Sequence, residues 1–221
     1  VMIPGNVYNY GEQMPPVLTE ETPHLPTAKK GKMRCAMEAA YKKASGEGVQ
    51  TIILRAGDFI EREQTGNWFD SYIAAKVGQG KATYPGSLDR VHAWAYLPDM
   101  ASAMVGLAKT RATLSPFEEF GFEGLNLTGH ELIKAMEAAS GRSLKIQGMP
   151  WGLLRLLGLV TPKIREVMEM RYLWNVPHAI DGSKLAAALP EFERTPTDRI
   201  FADALTITAP NPDNYAAPST A

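Results

Sequence analysis

Two short apolar runs, separated by one helical segment, are the feature that most constrains the fold of this chain. Residues 1–3 form the first run, which Pro4 and Gly5 end, and QTIILR at 50–55 forms the second. Between them, apolar residues recur at helical spacing over 29–45. Apolar runs without polar alternation are typical of parallel strands that are covered on both faces. A strand, a helix and a second such strand predict a right-handed βαβ crossover.

The alternation of strands and helices continues as far as Thr110 and then changes in texture. RVHAWAYLPDMASAMVGLAK at 90–109 combines a strand with a helix that begins at about Pro98, and proline is common in a first helical turn. SPFEEFGFEG at 115–124 has the composition of a loop, and two short helices are predicted after residue 150. We therefore predict an α/β fold in three parts: an α/β domain at 1–110, which the family resemblance described below implies to be a partial Rossmann-like domain, a small, mainly helical C-terminal lobe at 111–205 and a flexible tail at 206–221.

Charge and cysteine content exclude several classes of function. The 23 Lys and Arg residues nearly balance 24 Asp and Glu residues, so the chain lacks the basic excess that drives nucleic-acid binding. Cys35 is the only cysteine, which excludes an intrachain disulfide and a cysteine–zinc cluster and fits a reducing compartment. The most apolar stretch, 151–160, is shorter than the roughly 20 residues that a membrane helix needs. We expect a cytoplasmic protein that acts on a small molecule, without a metal, nucleic acid or membrane as partner.

Five segments occur in an order that is typical of one enzyme family. They are GNVYNYG with the TEETP loop behind it, KKGKMRCAMEAA, TIILRAGDFI, HAWAYLPDMASAMVGLAK and DGSKLAAALPEFERTP. Together they resemble the extended short-chain dehydrogenase/reductases, the family of NAD-dependent sugar epimerases and dehydratases. The resemblance implies the later part of a doubly wound parallel sheet, followed by a lobe that binds the substrate. It also implies NAD or NADP as the cofactor of an oxidoreductase that acts on a sugar, a sugar nucleotide or another hydroxylated small molecule.

The helix segment departs from this family at the residues that carry the family's chemistry. The family places a tyrosine, its general acid/base, four residues before a lysine on the same helix face. Here those two positions are Lys30 and Arg34. The family's strand hydroxyl position falls on Pro4, and a nearby hydroxyl position falls on Asn6. Arginine cannot act as a base in a protein, and lysine does so only when it is strongly desolvated or repelled by another cation.

Three interpretations of Lys30 and Arg34 stay open. They belong to a solvated cationic helix face, or Arg34 holds the ribose or phosphate of the cofactor while Lys30 binds an anionic substrate and another residue transfers the proton. In the third interpretation, the site holds a dinucleotide without turning it over. Tyr8 is our preferred substitute acid. We therefore predict catalytic positions at Lys30, Arg34, Asn6 and Tyr8.

The other predicted site residues follow the ends of parallel strands, where open α/β sheets bind their ligands. We predict cofactor contacts at Arg34, Ala56, Gly57, Asp58 and Phe59. We predict substrate contacts at Trp68, His92 and His178. For the aromatic and histidine positions, a purely structural role is the alternative.

The sequence contains no glycine-rich phosphate loop with a strand before it and a helix after it. We interpret the chain as a truncated form of the family's fold, which binds NAD(P) poorly unless a second polypeptide supplies the missing half. Two alternatives to an active enzyme stay open: a dinucleotide-binding sensor or scaffold without turnover, and an inert fragment. An exposed sheet edge could then pair with a second copy and produce a homodimer.

Overall fold

The computed structural model describes residues 1–206, so the predicted tail lies, from residue 207 onwards, outside the described residues. The strands are β1 (Met2–Asn6), β2 (Val17–Leu18), β3 (Thr51–Ala56), β4 (Asp58–Ile60), β5 (Lys81–Tyr84), β6 (Val91–Tyr96), β7 (Phe117–Gly121), β8 (Leu125–Thr128), β9 (Lys145–Gly148) and β10 (Ala179–Ile180). The α-helices are α1 (Lys29–Ser45), α2 (Leu97–Thr110), α3 (Gly129–Ser140), α4 (Trp151–Leu157), α5 (Pro162–Glu169), α6 (Ser183–Ala188) and α7 (Thr197–Ala204).

The main sheet is parallel and has the order β1-β3-β7, with α1 connecting its first two strands. Met2 lies opposite Ile52 and Asn6 lies opposite Ala56, which sets the register of β1 on β3. Every residue of β3 is buried, as expected for the apolar central strand of a parallel sheet. The predicted α/β fold with a parallel sheet is confirmed.

β7 corrects the prediction of a loop at 115–124. Its residues Glu118 and Glu119 gave this segment its loop-like composition, but both have specific partners. Glu119 accepts a hydrogen bond from Arg55 at 2.6 Å, and Glu118 accepts one from Lys184 at 2.7 Å. Charged residues are therefore compatible with this edge of the sheet because other elements supply their counter-ions. The division of the chain at residue 110 stays a prediction.

β3 continues into a second sheet through a single residue, Gly57. This sheet has the order β4-β6-β8, in which β4 is parallel and β8 antiparallel to β6. A Cβ atom at Gly57 would lie 2.0 Å from the carbonyl oxygen of Ala93 on β6, so a larger residue cannot occupy this crossing without displacing backbone. The close approach sets the position of Asp58, the next residue, relative to β6. Two-stranded pairs, β5 with β9 and β2 with β10, complete the sheets of the described residues.

The helices of residues 1–206 are all too short or too polar to cross a lipid bilayer. The apolar segment predicted to be a helix at 151–159 forms α4, which ends at Leu157. α5 follows and packs on α4. α5 lies next to the start of α1, where Lys30 and Glu166 form an ion pair.

A buried arginine connects the main sheet to α1. The Arg55 side chain on β3 is only 2% exposed and donates to Glu38 of α1 at 2.8 Å and to Glu119 of β7 at 2.6 Å. It also donates to the carbonyl oxygen of Asn6, the last residue of β1, at 2.7 Å. Asn9 donates a further hydrogen bond to Glu38 at 2.7 Å. Three strands and one helix are thus joined by one guanidinium, whose planar set of donors suits several oxygen acceptors at once.

An aromatic cluster behind β4 contains two histidines. The His92 ring stacks on Trp174 with a centroid distance of 4.3 Å and an interplanar angle of 3°, and His178 meets His92 edge-on at 4.4 Å. His92 is 2% exposed and His178 is 0% exposed. Side chains that the core encloses do not present a surface to a ligand, so this burial favours a structural role for both residues, and their substrate contacts stay predictions. The polarity pattern of β6 and the isolated position of His178 did not indicate this burial.

Replacing Glu38 by glutamine tests the contribution of the buried arginine network. Glutamine keeps the size of the side chain but removes one of the two carboxylates that compensate the Arg55 charge. Because an incompletely compensated buried charge is costly, we expect Glu38→Gln to lower the free energy of unfolding by about 3 kcal/mol. Urea denaturation measures the change. The control is Lys184→Gln, which breaks a partly exposed ion pair and should cost less than about 1 kcal/mol. An equally small loss for Glu38→Gln would contradict the assigned role of the network.

Buried His178 makes stability depend on pH. Desolvation and the neighbouring His92 lower the pKa of His178 in the folded protein to about 3, from the ordinary value of 6.5. Below about pH 6.5 the unfolded chain therefore binds a proton that the folded chain does not, and stability falls with acidification. Between pH 7 and pH 5 this residue should remove about 2 kcal/mol of stability.

His178→Asn removes this titration and keeps an N–H donor for the carbonyl oxygen of Val176, which lies 2.9 Å from Nδ1 of His178. Urea denaturation at both pH values should show that the variant loses about 2 kcal/mol less than the wild type on acidification. His130→Asn is the control, because it removes a histidine whose side chain is 60% exposed instead of one in the core. Parallel pH dependences for His178→Asn and the wild type would show that His178 is accessible to protons in the fold.

Candidate functional site

A cleft of about 430 Å³ opens where β1 and β3 end at their carboxyl termini. Ligands of open α/β sheets bind at this edge, because loops diverge there and leave a crevice. The structure brings most of the predicted site residues together in its wall: Asn6, Tyr8, Lys30, Arg34, Gly57, Asp58, Phe59 and Trp68. Ala56 is 0% exposed and lies in the core beneath the cleft. The roles of the residues in the wall stay predictions.

The first turns of α1 carry the two cations of the cleft. Gly31 lets this helix approach closely, because a Cβ atom there would lie 2.2 Å from the carbonyl oxygen of Tyr8. Lys30 and Arg34, four residues apart, face the same side. Lys30 forms an ion pair with Glu166 at 3.2 Å, with 42% and 60% of the two side chains exposed. Lys30 therefore lacks the desolvated surroundings that a lysine base needs.

Arg34 differs from Lys30 because it has no carboxylate ion pair within residues 1–206. It is partly buried and borders the same cleft. A guanidinium in such a position can donate several hydrogen bonds to the oxygens of a ligand. This geometry favours a ligand-binding role over the solvated helix face among the interpretations of the sequence.

Tyr8 lies between the cations and Asp58, in the short 3₁₀ helix at Val7–Tyr10. Burial, followed by the nearby charge of Asp58, raises the pKa of the Tyr8 phenol. The phenol thus keeps its proton near neutral pH and can donate a hydrogen bond, but it is a poor base. Asn6 caps this short helix, since its Oδ1 atom accepts a hydrogen bond from the Tyr8 amide at 3.0 Å. This cap explains the asparagine at the predicted hydroxyl position by a local structural role.

Asp58 is the carboxylate of the cleft that has a buried partner. Its Oδ2 atom lies 2.8 Å from Nε2 of His92, and its side chain is 11% exposed. His92 is therefore buried beneath the surface of the cleft and contacts Asp58, which lies in that surface. The sequence identified both residues but did not indicate that they contact each other, because β4 and β6 are separated by a long stretch of chain.

One side of the cleft is aromatic. Trp68 and Tyr72 pack with a centroid distance of 5.0 Å, and Trp68 also packs edge-on against Trp174 at 5.1 Å. A short π-helical turn at Phe69–Ile73 places them on neighbouring surfaces. Tyr72 and Glu166 were missed in the sequence analysis. The spacing of four residues between Trp68 and Tyr72 could have indicated Tyr72, whereas no sequence signal marks Glu166.

A second group of polar side chains contains residue types that bind metals, but an arginine already occupies the place of a cation between them. His24, Glu38 and Glu119 place possible ligand atoms within 4.8 Å of one another. Arg55 donates hydrogen bonds to both carboxylates and already supplies the positive charge between them. A metal ion would have to displace a buried guanidinium, so these residues do not fit a metal centre.

No protein-family model matches this sequence, and no curated protein matches it. Solved structures do match its fold. UDP-glucose 4-epimerase from Bifidobacterium longum, solved with NAD⁺ and UDP, is 17% identical with a TM-score of 0.69, and the match covers 92% of this chain and 62% of that one. L-threonine dehydrogenase from Phytophthora infestans is 17% identical with a TM-score of 0.71, covering 92% and 63%. RMD from Pseudomonas aeruginosa, solved with NADPH, is 14% identical with a TM-score of 0.65, covering 93% and 64%.

Identities this low establish similarity of fold. The chain spans about three fifths of the length of these structures. Its elements, from β1 to α7, thus have the Rossmann-like α/β fold found in the epimerases and dehydrogenases of the extended short-chain dehydrogenase/reductase type.

Proposed function

We propose that this protein is an NAD(P)-dependent oxidoreductase of the epimerase or dehydratase type, which acts on a hydroxyl group of a small molecule. The observation that carries the proposal is the cleft at the carboxyl ends of β1 and β3. It combines a guanidinium without an ion pair, a phenol that keeps its proton and a carboxylate with a buried partner. These are a binding group, a hydrogen-bond donor and a proton acceptor, within a fold shared with solved structures that contain NAD⁺ or NADPH.

The residues of the cleft fit one end of a dinucleotide. Arg34 can hold ribose or phosphate oxygens, because arginine donors match such acceptors in geometry and charge. Gly57, a predicted cofactor contact at the end of β3, borders the same cleft. When bound, the nicotinamide supplies the acceptor or donor of a hydride. The chain's own residues then position the substrate and move its proton.

Within this proposal, three side chains act on the substrate. Tyr8 donates a hydrogen bond to the oxygen at the reacting carbon, which orients the hydroxyl group and polarises the corresponding carbonyl. Asp58 accepts the hydroxyl proton, and it returns the proton when the reaction runs in reverse. Trp68 covers one side and limits access of water, which strengthens the charge interactions in the cleft.

The substrate class is narrowed by the burial of His92. In the family that the sequence resembles, the corresponding strand position often presents an arginine to a substrate phosphate, whereas His92 is enclosed in the core. A sugar nucleotide would therefore lack one charged contact. We propose a hydroxylated small molecule without a required diphosphate. UDP-glucose and L-threonine, named from two of the matched structures, are the first compounds to compare.

Titration of the purified protein with NADH and NADPH tests the proposal through cofactor fluorescence. We expect weak but saturable binding of one of the two dinucleotides, because the cleft supplies one end of the site while the sequence lacks the glycine-rich loop that holds the pyrophosphate. Arg34→Ala should weaken it by about tenfold, since one charged hydrogen-bonding group contributes roughly 1.5 kcal/mol or more. Lys32→Ala, which removes an exposed cation of the same helix away from the cleft, should leave the affinity unchanged.

Absence of any fluorescence change with either dinucleotide would refute the proposed function. Equal weakening by Arg34→Ala and Lys32→Ala would indicate a general effect of charge instead of a contact in the cleft. Binding without turnover of any hydroxylated compound would favour the alternative of a dinucleotide-binding sensor.

A further inference from the structure

We propose that Asp58 and His92 form an acid–base pair that transfers the substrate proton in the cleft. Asp58 is the catalytic residue, because it borders the cleft and can touch the substrate. His92 is a positioning residue that acts through Asp58, whose carboxylate it holds by a hydrogen bond from Nε2. The inference rests on the proposed function, since it names the residues that move the proton in place of the tyrosine and lysine missing from α1.

The geometry of the pair is fixed from two sides. Asp58 is the first residue of β4, and His92 lies on β6, the strand with which β4 pairs in parallel. The crossing at Gly57 allows no larger residue, so the backbone before Asp58 has little freedom. Trp174 stacks on the His92 ring at 4.3 Å and prevents it from turning away. The distance of 2.8 Å between Oδ2 and Nε2 is therefore maintained by the packing of both residues.

The hydrogen bonds of His92 and His178 indicate which ring nitrogen of each histidine carries the hydrogen. A carboxylate can only accept, so Nε2 of His92 carries the hydrogen that Asp58 receives. Nδ1 of His92 is buried and has no hydrogen-bond partner within the described residues. Nδ1 of His178 donates to the carbonyl oxygen of Val176, and its Nε2 atom is also buried without a partner. A neutral His92 with its hydrogen on Nε2 satisfies these positions, because no buried N–H is then left without an acceptor.

Several titratable and charged groups surround the pair. The groups around Asp58 belong to the 3₁₀ helix, to α1, to α5 and to two segments that each carry a tyrosine. A single titratable group, a histidine, lies beside His92. They are Tyr8, Lys30, Arg34, Glu166, Tyr84 and Tyr172 around Asp58, and His178 beside His92. The charge of Asp58 raises the pKa of all three phenols, after the larger effect of burial. The positive charges of Lys30 and Arg34 balance the negative charges of Asp58 and Glu166. Of these two carboxylates Asp58 is the more buried one, and it is therefore the acceptor for a proton that enters the cleft.

The pair completes a balanced reaction. In the oxidation of a secondary alcohol, the O–H bond breaks and its proton moves to Asp58, while the C–H bond breaks and its electron pair reduces NAD(P)⁺, the co-reactant of the proposed function. A C=O bond forms in the substrate. Asp58 takes up the proton as Nε2 of His92 holds the carboxylate in place, and the proton leaves by the same atoms in the reverse direction.

Nuclear magnetic resonance of the imidazole nitrogens tests the pair without a substrate. The chain has four histidines, so ¹⁵N-histidine labelling and a pH titration followed in long-range ¹H–¹⁵N spectra resolve each ring. We expect a neutral His92 to carry its hydrogen on Nε2. If His92 carries its hydrogen on Nδ1, the acid–base pair is refuted, because Nε2 could not then donate to the carboxylate of Asp58.

Kinetics separate positioning of the carboxylate from a merely structural role. His92→Gln retains an N–H donor for Asp58, so with a substrate found in the comparison of hydroxylated compounds we expect its kcat to stay close to that of the wild type. His92→Phe removes the hydrogen bond and should lower kcat by about 100-fold while KM changes little. Equal losses of kcat in His92→Gln and His92→Phe, or a wild-type kcat in His92→Phe, would overturn the positioning role.

The two proposals fail in different ways. If no compound is turned over, the proposed function and the catalytic role of Asp58 are overturned, whatever the nitrogen spectra show. If turnover occurs but His92 carries its hydrogen on Nδ1, the proposed function stands and the pair is refuted.

Discussion

The placement of the guanidinium of Arg55 inside the main sheet is the constraint on which the rest of the structure depends. A buried charge is stable only when it is paired and hydrogen-bonded, and here the partners come from β1, α1 and β7. Apolar packing alone would allow α1 to shift along the sheet. The hydrogen bonds of Arg55 to Glu38 and Glu119 fix one register, because they require particular atoms at particular positions.

This register also determines the composition of the cleft. Glu38 lies four residues after Arg34 and eight after Lys30, so the face of α1 that reaches Arg55 in the core continues to the cleft. The strand that carries Arg55 continues, through Gly57, to Asp58. One helix and one strand, joined by a buried ion pair, therefore carry the cations and the carboxylate of the site. Changes at Glu38 would be expected to affect the cleft as well as stability, because the same helix holds both.

The sequence predicted the parts of the fold that depend on local periodicity. The apolar β3 has a regular pattern, and the helix predicted at 29–45 coincides with α1, although the residues that α1 buries are Gly31, Glu38 and Ser45 and not its apolar ones. The positions of Lys30, Arg34 and Asp58 follow from their places at the ends of these elements. β7 could not be predicted in the same way, because Glu118 and Glu119 obtain their partners from distant parts of the chain. The resemblance to a known family supplied the order of the elements, while low sequence identity left the individual roles open.

The histidines show why the site was harder to predict than the fold. Strand β6 places His92 in the core, where only pairing with β4 reveals its contact with Asp58. A family tyrosine and lysine on α1 would present their proton chemistry on one helix face, which a sequence displays as a spacing of four. Chemistry divided between two strands has no such spacing, since its partners meet only through the sheet. A chain that lacks the helix motif can therefore still place a proton acceptor at the same edge of the fold, with the burial that an acid–base group requires.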